Sequence, residues 1–457
     1  MSDPMQSSNR KLSDEAKRLE GLGQFAQAAE IYKQSYDQYP GSFVTSRYIR
    51  CLRRQGKSEE AVEFGRQLSK PLLNAPYVHR ELSWALYDAY LKKTEDADDK
   101  EDGDTVYEKR SGQNYQQMQK AANYILSKAP VSEDILRTRT VFAICHEAKQ
   151  RGIWQDMHDF AVQLDPERLS KEQREWNGQR ISSEYEQWLY ILVKSLLELK
   201  RYEECINFAQ KGIEQNSREK LFPWWKASAK MALGHIEEAL RELEQVDMRL
   251  SAKEWYIQRD IADGYQRLQK YEEAMLWYCK AASCQGDIKG RFKMFEQMSV
   301  LFEHLERLQE AHDHMQLACA ITEREGWEHS AGNLRGQLVQ FRKRHADHIA
   351  SPTGVTTEEW SKLFRRCKTL WKETVGASLP TCKGEIVKVN DEKGFGFIRR
   401  HDDESNRDIY FKFRSFAKGV TPKLGVEVEF ELEKSFDPGK NQESLTAVNI
   451  RQKKSSV

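Results

Sequence analysis

The chain has 457 residues, 39% of them hydrophobic and 31% charged, with 72 Lys+Arg against 71 Asp+Glu. At about 150 residues per domain there is room for roughly three domains and a sizeable core, which excludes a disulfide-stapled mini-protein. A net charge of +1 removes any whole-chain attraction to nucleic acid or an anionic membrane, so a basic surface must be local.

The N-terminal MSDPMQSSNRKLSDEAKR has no apolar core after its charges and does not read as a secretory signal. The longest uninterrupted apolar run, Trp188 to Val193, falls far short of the ~20 residues that span a bilayer. A cytoplasmic protein without a transmembrane helix is expected. The eight cysteines include no Cys-x-x-Cys pair and read as reduced, packed thiols. His312 with His314, His345 with His348, and Cys279 with Cys284 each lack the second pair that a closed zinc site requires, so neither metal nor cofactor is expected.

A phrase recurs six times along the first three quarters of the chain: a turn, an aromatic or aliphatic residue, two polar residues and a small one. It begins at Gly23, Gly56, Lys200, Gly234, Gln269 and Glu306, and it closes on Ala28, Ala61, Cys205, Ala239, Ala274 and Ala311, with Ser58 standing for the apolar residue in the second and Ala26 for a polar one in the first. Successive closing residues lie 33, 34, 35 and 37 positions apart wherever the phrase is unbroken, which is the period of a helical hairpin. Small residues let two helices cross closely, and a large residue one turn on fills the groove between them. One hairpin cannot bury its own apolar stripe, so stability requires stacked neighbours.

Around these anchors the chain resembles tetratricopeptide repeats, in Ala16, Leu19, Ala28, Tyr32 and Pro40, in Ala262, Tyr265, Ala274, Tyr278 and Ala281, and in Ser299, Phe302, Ala311, Met315 and Ala318. The resemblance implies an α-solenoid over residues 1–350 whose concave surface takes a protein partner. The interval from Ala61 to Cys205 has room for about four more, degraded units, with helical spacing in Tyr77 to Leu91, Tyr115 to Leu126, Ile135 to Ala148 and Trp154 to Leu164. A highly charged stretch, TEDADDKEDGD, has almost nothing to bury and predicts a mobile acidic loop over 94–110. The repeats contain no Gly-rich phosphate loop, Gly-x-Ser-x-Gly elbow or His-Glu-x-x-His, so an enzyme is not expected.

Arg335 to His348 reads as a basic helical tail, broken by Ser351-Pro352-Thr353-Gly354-Val355. A connector follows over 351–380. Thr356 and Glu359 match a capping box, and Trp360, Leu363, Phe364, Cys367, Leu370 and Trp371 form one apolar face. That face is expected to close the solenoid. The opposite face carries Lys362, Arg365, Arg366, Lys368 and Lys372, either solvated or set toward phosphates.

From about Thr381 the pattern changes to alternation, with β-branched and aromatic residues and Gly turns. Five short strands are predicted, at 383–390, 394–399, 407–413, 427–434 and 444–451. They suit a small barrel of the oligonucleotide-binding (OB) type over 381–451, with 452–457 as a tail. In extended strands Phe395 and Phe397 share one face, as do Tyr410 and Lys412, whereas Ile398, Ile409 and Phe411 turn inward. Outward rings stack on unpaired bases at ~1–3 kcal/mol each. Glycines 394 and 396 are expected to leave room for the bases, and Phe413 joins the predicted site. Lys383, Lys388, Lys393, Arg399, Lys412 and Arg414 supply a cationic rim for phosphates.

The run from Lys383 to Ile398 resembles the opening of a cold-shock domain, with its first ribonucleoprotein motif at Lys393 to Ile398 and the second at Asp408 to Phe413. That resemblance, over less than a sixth of the chain, implies binding of single-stranded RNA or DNA. Lys388 and Val389 stand where many bacterial members have tryptophan and phenylalanine, and Lys412 replaces a histidine, so the platform is smaller and more cationic. The expected function is a non-catalytic adaptor that joins a nucleic acid to a protein. Cold-shock domains joined to repeats are also similar to accessory proteins of phage-defence cassettes, including retron-associated ones, which implies a nucleic-acid-sensing effector as an alternative. A pure protein scaffold is the other alternative.

Overall fold

A computed structural model describes residues 4–92, 113–128, 134–176, 179–250, 252–349, 357–402, 407–416, 422–437, 439–440 and 442–452. The expected acidic loop 94–110, the break at 351–355, the Thr356 cap and residues 453–457 of the tail lie outside them. The chain divides into two compact units, Met1–Arg218 and Glu219–Val457.

The first unit is built from α1 (Pro4–Gly21), α2 (Phe25–Gln38), α3 (Ser42–Arg54), α4 (Ser58–Arg66), α5 (Lys70–Leu73) and α6 (Pro76–Leu86). Helix α6 runs on into a π-helical turn, Tyr87–Leu91. Next come α7 (Gln113–Lys128), α8 (Asp134–Gln150), α9 (Trp154–Ala161), a small hairpin of β1 (Arg174–Trp176) and β2 (Gln179–Ile181), α10 (Glu184–Glu198) and α11 (Tyr202–Gln215). The second unit contains α12 (Leu221–Ala232), α13 (Ile236–Arg249), α14 (Trp255–Arg267), α15 (Tyr271–Ser283), α16 (Phe292–His304), α17 (Leu308–Arg324), α18 (Glu328–Arg344) and α19 (Thr357–Ala377), followed by a barrel.

One local device makes the hairpins. Gly23, Gly56, Gly152, Gly234 and Gly326 take positive φ between consecutive helices, and Lys200, Gln269 and Glu306 take the same left-handed conformation. The residue after each donates its N–H back to the carbonyl five positions earlier, as Gln24 does to Leu19 and Arg307 to Phe302. This Schellman bond ends one helix and sets the angle at which the next returns. All six small closing residues foreseen in the repeated phrase are fully buried where the paired helices cross. The helical part is thus a set of tetratricopeptide-like hairpins.

In the second unit α19 packs on α15 and α17, and its apolar face joins their core through Leu363, Cys367 and Trp371. Trp371 is 1% exposed and stacks flat on Phe295, with ring centroids 5.5 Å apart. Its indole Nε1–H donates to His314 Nε2 at 2.8 Å, while His314 Nδ1 lies 2.7 Å from the Glu310 carbonyl oxygen. Those two bonds fix a neutral imidazole with its proton on Nδ1. Arg366, from the expected basic face, forks onto Asp313 at 2.9 and 2.8 Å and helps hold that carboxyl down at about 2 against the effect of burial. The basic tail is likewise answered from within, Arg335 by Glu323 and Arg344 and His345 by Glu303, while Arg342 donates its Nε–H to His312 Nε2.

Enclosure pushes the His314 imidazole down to about 4. The native state therefore holds it neutral while the unfolded chain protonates it below about 6.5, so stability falls as pH drops from about 6.5 toward 4. A depression of this size corresponds to roughly 3 kcal/mol. Urea unfolding followed by tryptophan fluorescence should find that fall, and a His314→Leu/Trp371→Phe double variant should lack most of it. Equal acid sensitivity in both proteins would place its origin elsewhere.

The barrel consists of β3 (Thr381–Asn390), β4 (Phe395–Arg400), β5 (Asp408–Lys412), β6 (Glu427–Asp437) and β7 (Gln442–Gln452). It closes in the order β3-β4-β5-β7-β6, with β6 returning to β3 and only β5 and β7 parallel. Inward residues including Ile386, Ile398, Ile409, Phe411, Val428, Phe430, Ala447 and Ile450 fill it. Strand β6 packs on α13, with the Arg249 guanidinium 5.3 Å from the Phe436 ring centre. Strands β4 and β5 share no edge with β6, so they lie across the barrel from that contact. Among the described residues no helix is long and apolar enough to cross a membrane.

Candidate nucleic-acid interface

Alternation along β4 and β5 sorts the side chains as their order predicts. Ile398, Ile409 and Phe411 are buried in the barrel, while Phe395, Phe397 and Tyr410 are half-exposed on its outer face. Phe397 pairs across the ladder with Tyr410, and Phe395 with Lys412. The three rings form a triangle, with centroids 5.9 Å apart for Phe395–Phe397, 5.6 Å for Phe395–Tyr410 and 5.9 Å for Phe397–Tyr410. Edge-to-face and tilted contacts of this kind stabilise the cluster without covering every ring face.

A register shift in β3 between Ile386 and Lys388 brings Lys388 opposite Phe397, with its Nζ 5.9 Å from that ring's centre. Lys393 is exposed on the β3–β4 turn, where Gly394 adopts a φ of +65°. Asn390 shapes this turn by accepting the Lys393 N–H at 3.0 Å, a role that the sequence pattern did not reveal. Lys388 and Lys412 thus stand beside the rings on the sheet, and Lys393 on the adjoining turn.

The remaining predicted residues go elsewhere. Arg399 emerges beside the platform but forks onto Asp408 at 2.9 and 3.2 Å, so its charge is answered within the barrel. Lys383 lies beyond Glu385 on β3 and faces Glu429 on β6, which sets it in acidic surroundings. Phe413 opens a 3-10 turn, stacks on Phe411 at 6.3 Å and packs against the barrel core instead of the outer cluster. Arg414 is exposed on that same turn, in a shallow groove with Phe416 and Asn449 near β7. Gly396 also has a different reason from the expected one: it points inward, where a Cβ would collide with the Phe411 ring and the Lys388 carbonyl oxygen. Its smallness serves the core rather than a base.

No family model matches the chain, and no curated protein matches it. Among solved structures it is similar to a tetratricopeptide repeat protein from Parabacteroides merdae, 12% identical, covering 65% of this chain and 99% of that one, with a TM-score of 0.28. It is also similar to a thermophilic TPR protein in Thermus thermophilus, 12% identical, covering 63% and 96% of the two chains, with a TM-score of 0.19. The fold itself defines the class as tetratricopeptide-like helical hairpins followed by a small closed five-stranded barrel.

Proposed function

We propose that the barrel is a cold-shock-type module that binds single-stranded nucleic acid, and that the helical repeats hold a protein partner, making the chain a non-catalytic adaptor. The observation that carries the reading is the triangle of Phe395, Phe397 and Tyr410, half-exposed on the two strands across the barrel from its contact with α13. Flat stacking requires unpaired bases, so single strands are preferred over duplex. Lys388, Lys393 and Lys412 take the phosphates.

Anisotropy titration with labelled random-sequence single strands tests this. Saturable binding is expected, with log affinity falling against log salt at a slope of about −2, as about three neutralised phosphates on a single strand give. Duplex of the same composition should bind more weakly. Absence of saturable, salt-sensitive binding would leave the barrel as part of a pure protein scaffold.

A further inference from the structure

The first unit contains a cavity of ≈ 570 Å³ with a strongly cationic lining. Arg50, Arg53 and Arg54 stand at i, i+3 and i+4 on one face of α3. Arg80 comes from α6, Lys92 from just past the π-helical turn, and Arg139 from α8. Among the described residues two carboxylates, Glu81 and Asp88, line it with these six cations. Arg53 engages both, at 3.3 and 3.5 Å, and its guanidinium lies 5.4 Å from the centre of the Trp84 ring. Its Nε is buried and has no acceptor.

Arg50 is also paired with Glu20 outside the lining, at 3.3 Å, but Arg54 stands exposed one turn from Arg50 and beside Arg53, and like charges at such spacing cost stability unless something answers them. Short π-helical turns, such as the one that carries Asp88 here, occur often at functional sites. The volume suits one small molecule. Planar guanidinium forks match phosphate oxygens in pairs, and several positive charges in so small a space match a chain of linked phosphates better than a peptide, whose acidic groups come one per side chain.

The geometry points to a second binding site in this cavity for a small polyphosphate, either inorganic or the phosphate chain of a nucleoside triphosphate. It is independent of the barrel. Arg54 and Arg139 are exposed and lie on different helices, so replacing them should spare the fold. The test is isothermal titration of the full chain with sodium tripolyphosphate and, separately, with ATP, at physiological salt.

One-to-one binding of tripolyphosphate is expected, weakened at least about tenfold in an Arg54→Gln/Arg139→Gln variant through loss of charge-assisted bonds. Binding should be unchanged in a Phe395→Ala/Phe397→Ala/Tyr410→Ala variant. Comparable affinities for the two ligands identify the phosphate chain as the recognised group, and much tighter ATP binding identifies a nucleotide as the source. Absence of binding to both, or equal affinity in the Arg54/Arg139 variant, would overturn the assignment. So would displacement of tripolyphosphate by a single-stranded oligonucleotide in the barrel variant, which would make the cavity part of a strand-binding groove.

Discussion

A chain carrying Phe395→Ala, Phe397→Ala and Tyr410→Ala is expected to lose at least about a hundredfold in affinity for single strands. Each stacked base contributes ~1–3 kcal/mol, so three rings together carry more than the roughly 2.7 kcal/mol that a hundredfold represents. The rings stand outside the barrel interior, which Ile398, Ile409 and Phe411 fill, so the substitutions remove the platform and leave the core intact. The remaining lysines should preserve weak, strongly salt-dependent attraction. Anisotropy titration measures the loss, and far-ultraviolet circular dichroism on heating verifies that the helices melt where they did. Unaltered affinity in a folded triple variant would remove the nucleic-acid reading of the barrel.

Replacing Trp371 by Ala should produce the largest stability loss of any single change in the second unit. The indole is enclosed and stacked on Phe295, and truncating a buried aromatic of this size costs about 3–5 kcal/mol. The change also leaves the His314 Nε2 acceptor buried without its donor, which adds about 1–3 kcal/mol. Trp371→Phe keeps the stack and loses only the hydrogen bond, so it should fall well short of the full effect. Urea midpoints at neutral pH measure both. A Trp371→Ala midpoint within about 1 kcal/mol of the parent would mean that α19 is not an integral part of the helical core.

The hairpins were legible because their turns obey a stereochemical rule that leaves a local trace. Among the described residues, six of the eight left-handed Schellman turns between consecutive helices were found from the recurring phrase. The other two depart from it differently from the found instances: the turn at Gly152 leads to buried Met157, a large residue at the helix crossing, and that at Gly326 has a charged residue, Glu328, at the position that Ser58 fills after Gly56 and an apolar residue fills in the other five. In both, tertiary packing tolerates a residue that the pattern excludes. The β1–β2 hairpin was missed although Asn177-Gly178, the strongest short hairpin signal, lies between its strands, because each strand is only three residues long.

The candidate site was legible where period-two alternation decides it, which placed Phe395, Phe397 and Tyr410 together. It was not legible where cross-strand partners decide it. Nothing in the linear order tells that Arg399 meets Asp408 or that Lys383 faces Glu429, because both pairings depend on register. Phe413 was misplaced because the extended conformation ends at Lys412, and alternation loses its meaning in the 3-10 turn that follows.

The seating of β6 on α13 gives the barrel a fixed address on the helices of its own unit. The N–H of Leu432 also bonds the carbonyl of Pro380, so the short passage from α19 into β3 is pinned from the side. A module on a loose tether samples a cloud of positions, and its tether length sets only an average local concentration. On the proposed function, the distance between a strand held by the outer sheet and a partner seated on α12 to α19 would be built into the fold, making the unit a ruler rather than a leash.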